Sequence, residues 1–225
     1  MNHQKPAPRI DRKDGSLELN ELFPTIQGEG PFAGTPAVFV RLAGCNLQCP
    51  GCDTEYEDGE LVPLADLVLG VKIQKGIDLV VITGGEPMRQ DIGPFVHALL
   101  DLGKTVQIET NGSIYRDLPF SMIHIVCSPK AKVDPRLVPY VGAWKYVVEA
   151  GKVGANGLPI SVLGSTAPVF QVTEHEGLGN RNIYIQPFDE QDPERNKANN
   201  IAAIQSCLRH NYKLGIQIHK VVGLK

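Results

Sequence analysis

Three of the five cysteines, Cys45, Cys49 and Cys52, fall in one short stretch, Arg41–Thr54, with the spacing C-x3-C-x2-C. Thiols this close in sequence can converge on one metal ion or cluster. Three protein ligands suit a site that keeps one coordination position open for a reactant, whereas a structural zinc site closes its shell with four. The competing reading is a zinc knuckle completed by His124, His175 or His219, none of which lies at a zinc-like spacing from the cysteines. Arg41 sits in the otherwise apolar run Ala37-Val-Phe-Val-Arg-Leu42, where an unpaired guanidinium is costly, so it must face water or an anion. The other chemically capable residues are weaker signals singly. Glu29, Glu86 and Glu109 each read alone as solvated loop carboxylates, Gly84-Gly85 as a tight turn, Ser128 and Lys130 as a cap and a free amine, and His219 as a core or surface histidine. Cys127 and Cys207 read as small core residues.

The periodicity supplies the scaffold. The first part of the run that begins at Leu17-Glu-Leu-Asn-Glu-Leu alternates well enough for a strand, and Gln27-Gly-Glu-Gly30 forms a turn with a carboxylate at its tip. Ala37–Leu42 is a buried strand feeding the cysteine loop. Pro63 to Lys75 has helical spacing, weakened by Gly70. Ile77 to Pro87 is a buried strand of the parallel type ending in Gly-Gly-Glu. Asp91 to Leu102 reads as a helix with Asp91 at its N-cap and Gly103 at its stop. Further strands are expected at Thr105–Gly112, Met122–Lys130, Trp144–Val148 and Asn182–Asp189, with a short helix near Pro135–Tyr140 and an extended piece at Val169–Val172. Residues 149–168 read as an irregular connection. Pro193 to Leu208 is expected as a helix, Asp192 capping it and Pro193 at its first position. The chain then ends in Gly215-Ile-Gln-Ile-His-Lys220 and a short tail.

Strands alternating with helices, with polar residues gathered at strand carboxyl ends, predict an α/β fold with a parallel sheet. A complete eight-fold barrel needs about 250 residues. For 225 residues, a single-domain partial (β/α) barrel of about six parallel strands fits better. Residues 1–16 read as a mobile leader and 17–225 as the domain. Sites on such sheets gather at strand carboxyl ends, which would bring Thr83-Gly-Gly-Glu86, Glu109-Thr-Asn-Gly112, Ser128-Pro-Lys130 and Gln186-Pro-Phe-Asp189 to the mouth holding the cysteines. The composition, 42% hydrophobic with a net charge of −3, gives no electrostatic reason to expect a nucleic-acid or membrane partner. Clustered cysteines without a disulfide framework suit a reducing cytoplasm.

The motif set Cys45-x3-Cys49-x2-Cys52 followed by Gly84-Gly-Glu-Pro87 resembles the radical S-adenosylmethionine superfamily. Phe23-Pro-Thr-Ile-Gln-Gly-Glu-Gly30, Val40-Arg-Leu-Ala-Gly-Cys-Asn-Leu47, Cys52-Asp-Thr54, Glu109-Thr-Asn-Gly112, Ser128-Pro-Lys130 and Gln217-Ile-His-Lys220, in that order, are more specifically similar to the 7-carboxy-7-deazaguanine synthase family. The resemblance implies a 4Fe–4S cluster on Cys45, Cys49 and Cys52, whose open iron is chelated by S-adenosylmethionine. It implies conversion of 6-carboxy-5,6,7,8-tetrahydropterin to 7-carboxy-7-deazaguanine with loss of ammonia, through a 5′-deoxyadenosyl radical. Ile26, Gln27, Gly28, Glu29, Arg41, Thr83, Glu109, His219 and the terminal carboxylate of Lys225 would meet the pterin. Of these, Glu29, Arg41, Glu109 and His219 would stand closest to the chemistry. S-adenosylmethionine would lie on Gly51, Cys52, Asp53, Gly85, Ser128, Pro129, Lys130, Gln186, Pro187, Phe188 and Asp189. Thr54 would ligate a Mg2+ that orients the substrate carboxylate. A homodimer and an external one-electron reductant of flavodoxin or ferredoxin type are further family expectations. One position departs from the superfamily, whose residue before the last cluster cysteine is usually aromatic and packs near the adenine. Here it is Gly51, so apolar cover would have to come from Tyr56 or Phe188. Two other readings stay open at this level: a glycyl-radical activase acting on a protein, and a zinc-bound interaction domain.

Overall fold

The computed structural model describes residues 3–52, 54–172 and 182–224. Its strands are β1 (Leu17–Ile26), β2 (Pro36–Leu42), β3 (Glu60–Val62), β4 (Leu79–Gly84), β5 (Thr105–Thr110), β6 (His124–Cys127), β7 (Val141–Val148), β8 (Ile183–Pro187) and β9 (Lys213–Leu214). They form one sheet in the order β3-β1-β2-β4-β5-β6-β7-β8-β9. β1 runs antiparallel to both β2 and β3, and every pairing from β2 onward is parallel. The expected parallel strands are therefore present, extended by an antiparallel pair at one edge and the two-residue β9 at the other.

Side chains alternate across a strand, and this alternation sorts the sheet into two faces. Val40, Ile82, Ile108, Ile125, Trp144 and Ile185 belong to the main core, which also takes in Leu67 of helix α1 (Leu64–Lys72), Phe95 of α2 (Gly93–Asp101) and Ala203 of α3 (Pro193–His210). Gly70, a poor helix former, lets α1 approach β1, since a Cβ there would lie 3.0 Å from Leu22. The opposite face carries a small apolar plug of Ala37, Leu79 and Val81 with Phe32 and Phe39. Beyond that plug, toward the strand carboxyl ends, the same face turns polar. Arg41 on β2 and Gln186 on β8 are five strand spacings apart, about 24 Å in a flat sheet. Both line a single cavity of about 480 Å³, which requires the sheet to curl into a partial barrel.

Several local expectations are refined. α2 begins at Gly93 with Ile92 in the capping position, although the Asp91 carboxylate still accepts the Gly93 amide at 3.3 Å. α3 starts as expected, Asp192 accepting from the amides of Glu194 and Arg195, but runs on to His210. The expected helix near Pro135–Tyr140 is only a 3-10 turn at Val138–Tyr140, and Val169–Val172 joins no strand. Residues 3–16, read from sequence as a mobile leader, lie along the body. The Ala7 amide donates to Cys45 O at 2.7 Å, the Ile10 amide to Arg89 O at 2.9 Å, and Asp11 pairs with the buried Arg116. The terminal stretch does not continue as a strand. After β9 it turns into the one-turn helix α4 (Ile218–Val222), and the Ile218 amide donates to Gly28 O at 3.1 Å. That bond ties α4 to the turn after β1.

Candidate active site

The cysteine loop is held by the end of β4. Gly84 has φ +130, and a Cβ there would sit 2.0 Å from Leu42 O; one on Gly85 would sit 2.3 Å from Gly44 O. Only glycines allow this approach. The Glu86 amide then donates to Gly44 O at 3.0 Å. Its carboxylate, read from sequence as a loop group in solvent, is wholly buried instead. It accepts from the Met88 amide (3.0 Å), the Thr110 hydroxyl (2.7 Å) and the Asn111 amide (2.7 Å). Burial, acting against these donors, pushes its carboxyl up to about 7. The Asn111 side chain in turn donates to Asn46 Oδ1 at 3.1 Å and reaches Cys45 Sγ at 4.0 Å. One carboxylate thereby joins the exits of β4 and β5 to the loop that carries the thiols.

Cys45 is buried, Cys49 half-buried and Cys52 exposed; none is in a disulfide, and all three line the cavity. Burial pushes the Cys45 thiol up to about 12 and raises that of Cys49, where Lys130 acts in the opposite sense. Among the described residues no three His, Cys, Asp or Glu side chains meet on a single-ion site. Three thiols along one wall of a shared cavity suit a cluster, in which separate irons take separate thiolates. The neighbouring wall fits an added cofactor. Gln186 Oε1 is buried there without a partner among the described residues, and Lys130 donates to the Ser128 hydroxyl at 2.9 Å. An unpaired buried acceptor in a cavity wall is costly unless a bound group supplies a donor.

The departure at Gly51 has a packing cause. A Cβ there would lie 3.0 Å from Leu163 Cβ and 3.4 Å from Phe188, leaving no room for an aromatic ring. Leu163, on the irregular connection, and Phe188, after β8, supply the apolar wall. Tyr56 also lines the cavity, but it is 1% exposed and its hydroxyl is bonded to Leu47 O at 3.1 Å, so it braces the cysteine loop as well. Asp189 lines the cavity, but its carboxylate is occupied. The Gln191 amide, Asn196 and Lys220 hold it at about 2.

The other end of the cavity is lined by Gln27, Glu29, Arg41, Thr83, Glu109 and His219, all expected there. Arg41 lies 3.4 Å from Glu21 and 5.3 Å over the Phe23 ring, so its guanidinium is already partly paired. Gly28 packs directly on His219, and a Cβ would fall 2.1 Å from Nδ1. Four expected contacts do not line the cavity: Ile26 and Gly28 support the turn, Pro129 is buried behind Ser128 and Lys130, and Pro187 faces an outer groove beside α3. Asp53 and Lys225 lie outside the described residues. Among the lining residues absent from the expected set are Gln217, which donates to Glu29 at 2.7 Å, and Lys145 of β7. Lys145 bears most directly on the pocket. It is 9% exposed and stands between Glu29 and Glu109. Its sequence signal was the one used for Arg41, a lone cation in an apolar strand.

No family model matches the chain. The 7-carboxy-7-deazaguanine synthase of Rhodospirillum rubrum is 44% identical over 244 aligned residues, covering all of both proteins. That of Rickettsia prowazekii is 41% identical, covering all of this chain and 96% of the relative. The chain belongs to the 7-carboxy-7-deazaguanine synthase family. A further member, from Bacteroides thetaiotaomicron, is 33% identical over 92% of this chain and 98% of its own length. In fold, the crystal structure of QueE from Escherichia coli superposes with a TM-score of 0.69, covering 90% of this chain and 94% of that one at 24% identity. The α/β partial barrel expected from the strand pattern is thus the fold of a known structure.

Proposed function

We propose that this chain converts 6-carboxy-5,6,7,8-tetrahydropterin to 7-carboxy-7-deazaguanine with loss of ammonia, as a radical S-adenosylmethionine enzyme. The observation that carries the reading is one cavity with the three cysteines, none in a disulfide, at one end and a charged pocket of Arg41, Glu29, Glu109 and Lys145 at the other. When bound, the cluster and S-adenosylmethionine supply a 5′-deoxyadenosyl radical for hydrogen abstraction at C6 of the pterin. Cys45, Cys49 and Cys52 hold the cluster. Gln186, with its unpaired acceptor, and Ser128 with Lys130 bind S-adenosylmethionine, and Phe188 and Leu163 shield its adenine from water.

Arg41 binds the substrate carboxylate, for which its planar fork is suited. Thr83, its partner in the β2–β4 ladder, adds a hydroxyl at the same depth. Glu29 and Glu109 accept N–H donors from the pterin ring, and His219, braced by Gly28, closes the pocket from α4. Thr54 offers a hard oxygen to a Mg2+ that orients the carboxylate. An external one-electron reductant and a reducing cytoplasm complete the requirements. A homodimer is the assembly expected, and Ile201, Ile204 and Leu208 offer an exposed apolar stripe on α3 for it. No helix among the described residues is long and apolar enough to cross a membrane.

The test is anaerobic turnover of the carboxytetrahydropterin with S-adenosylmethionine and a reductant, with and without Mg2+. Cleavage of S-adenosylmethionine without deazapurine formation would show the substrate to be wrong. Colourless protein with stoichiometric zinc and no iron would overturn the reading altogether.

A further inference from the structure

The least expected charge in the molecule is Lys145. β7 is otherwise apolar, with Trp144, Tyr146 and Val148 in the main core, so parity puts Lys145 on the inner face with Ala143 and Val147. Its ammonium contacts Glu29 Oε2 and lies 3.0 Å from Glu109 Oε2. The remaining carboxylate oxygens are also held. Glu109 Oε1 accepts from Gln27 Nε2 at 2.9 Å and Gln107 Nε2 at 3.0 Å, and Glu29 Oε1 accepts from Gln217 Nε2 at 2.7 Å. These groups come from the turn after β1, from β5, from β7 and from the start of α4. The ammonium ties β7 to the turn after β1 and to β5, and Glu29 carries the link on to the start of α4 through Gln217.

We propose that Lys145 is a positioning residue of this reaction, whose ammonium holds the Glu29 and Glu109 carboxylates side by side to receive the N–H donors of the pterin's pyrimidine edge. The inference rests on the substrate assignment above. Two carboxylates sharing one cation carry a net charge of −1. Each has about four acceptor sites, so about three remain open for a donor-rich ligand. Without the cation, nothing of comparable strength offsets the burial of Glu29, and its carboxyl would rise from its present low value. A protonated carboxyl would then offer a donor where the pterin needs an acceptor. Burial alone would pull the Lys145 ammonium down, but Glu109 and Glu29 outweigh it and hold it well above its ordinary value. Against the burial that would raise it, Lys145 holds the Glu29 carboxyl below its usual range. Among the described residues, the other ionisable groups facing these carboxylates include Arg41 on β2, His219, which Glu29 senses electrostatically, and Lys220 on α4, which line the same cavity, and Tyr184 on β8. Tyr184 stands opposite Lys145 in the β7–β8 ladder, with its hydroxyl bonded to Lys213 at 3.3 Å. On β6, His124 packs edge-on against Phe32.

The experiment uses cluster-loaded protein, Lys145→Met and Lys145→Arg, with the double variant Lys145→Met/Glu109→Gln as a charge-balanced control. Iron content and uncoupled S-adenosylmethionine cleavage report on the thiol end. Turnover from pH 6 to 9, together with binding of the unreactive 6-carboxypterin, reports on the pocket. Lys145→Met is expected to keep iron and cofactor cleavage, to lose about tenfold or more in kcat/KM for the pterin, and to move the acid limb of that profile upward by about one pH unit. Lys145→Arg should leave the acid limb in place, and the double variant should return it. A Lys145→Met enzyme with the wild-type limb and wild-type carboxypterin affinity would overturn the proposal. If Lys145→Met fails to fold, a displaced limb in Lys145→Arg or in the double variant overturns it instead. Wild-type protein that cleaves S-adenosylmethionine and yields no deazapurine would sink the substrate assignment; a fully active wild type beside an unaltered Lys145→Met would sink only the role of Lys145.

Discussion

Glu86→Gln tests whether a buried carboxylate organises the cysteine loop. Glu86 accepts three hydrogen bonds, two at Oε1 and one at Oε2, with no solvent access. A glutamine amide keeps one acceptor oxygen and turns an NH2 toward the other donors. In its better orientation it retains Met88 and Thr110 and faces the Asn111 N–H with a second donor. An unpaired buried N–H costs about 1–3 kcal/mol. In a chain of this size 1 kcal/mol moves the melting midpoint by roughly 2–4 °C, so a loss of roughly 2–12 °C is expected. The loss should also depend on pH. The carboxyl is raised from 4.5 to about 7, so the folded state keeps its proton longer than the unfolded chain. Wild-type stability therefore declines as pH rises from about 4.5 through about 7, by at most about 3 kcal/mol, and is level above that. Glutamine lacks this decline, so the variant's deficit should be larger at pH 6 than at pH 8.5. Anaerobic calorimetric melts of cluster-loaded wild type and variant at the two pH values provide the readout. Midpoints agreeing within about 1 °C at pH 6 would refute the hydrogen-bond account, and a deficit that grows with pH would refute the direction of the shift.

Cys49→Ala should abolish both iron binding and turnover, whereas Cys207→Ala, on the core-facing side of α3, should leave both intact; equal losses in absorbance and product would mean the ligands are misassigned. Thr54→Ala should retain the cluster and weaken the Mg2+ dependence of turnover, and an unchanged metal response would remove Thr54 from that role. Gly28→Ala should displace His219 and lower kcat/KM for the pterin by about tenfold or more while leaving uncoupled S-adenosylmethionine cleavage untouched. Wild-type kinetics in that variant would show that His219 does not depend on this contact.

Much of the site was legible because strand carboxyl ends of a parallel sheet gather on one side. Thr83, Glu109, Ser128 and Gln186 could be assigned to one mouth from their place at the carboxyl ends of successive expected strands, and all four line the cavity. Lys145 carried the same signal as Arg41, a cation in an apolar strand, and could have been assigned to the inner face by the same argument. Its partners could not, because Glu29 and Glu109 lie 116 and 36 residues away in the chain and meet it only when the sheet curls. Glu86 was misleading for a related reason. A carboxylate after two glycines looks solvated until the β4 exit packs under the cysteine loop and buries it.

The sequence by itself determined the order of β1, the six parallel strands β2 and β4–β8 and the helices α1–α3, the thiol triad and the set of polar strand ends, since these depend on local spacing and side-chain alternation. Only the tertiary structure decided which charges pair, that Gly51 must be small beside Leu163 and Phe188, and that α4 folds inward onto Gly28. These depend on sheet curvature and on close approach between segments far apart in the chain, where burial and charge pairing are settled by three-dimensional neighbours rather than by periodicity.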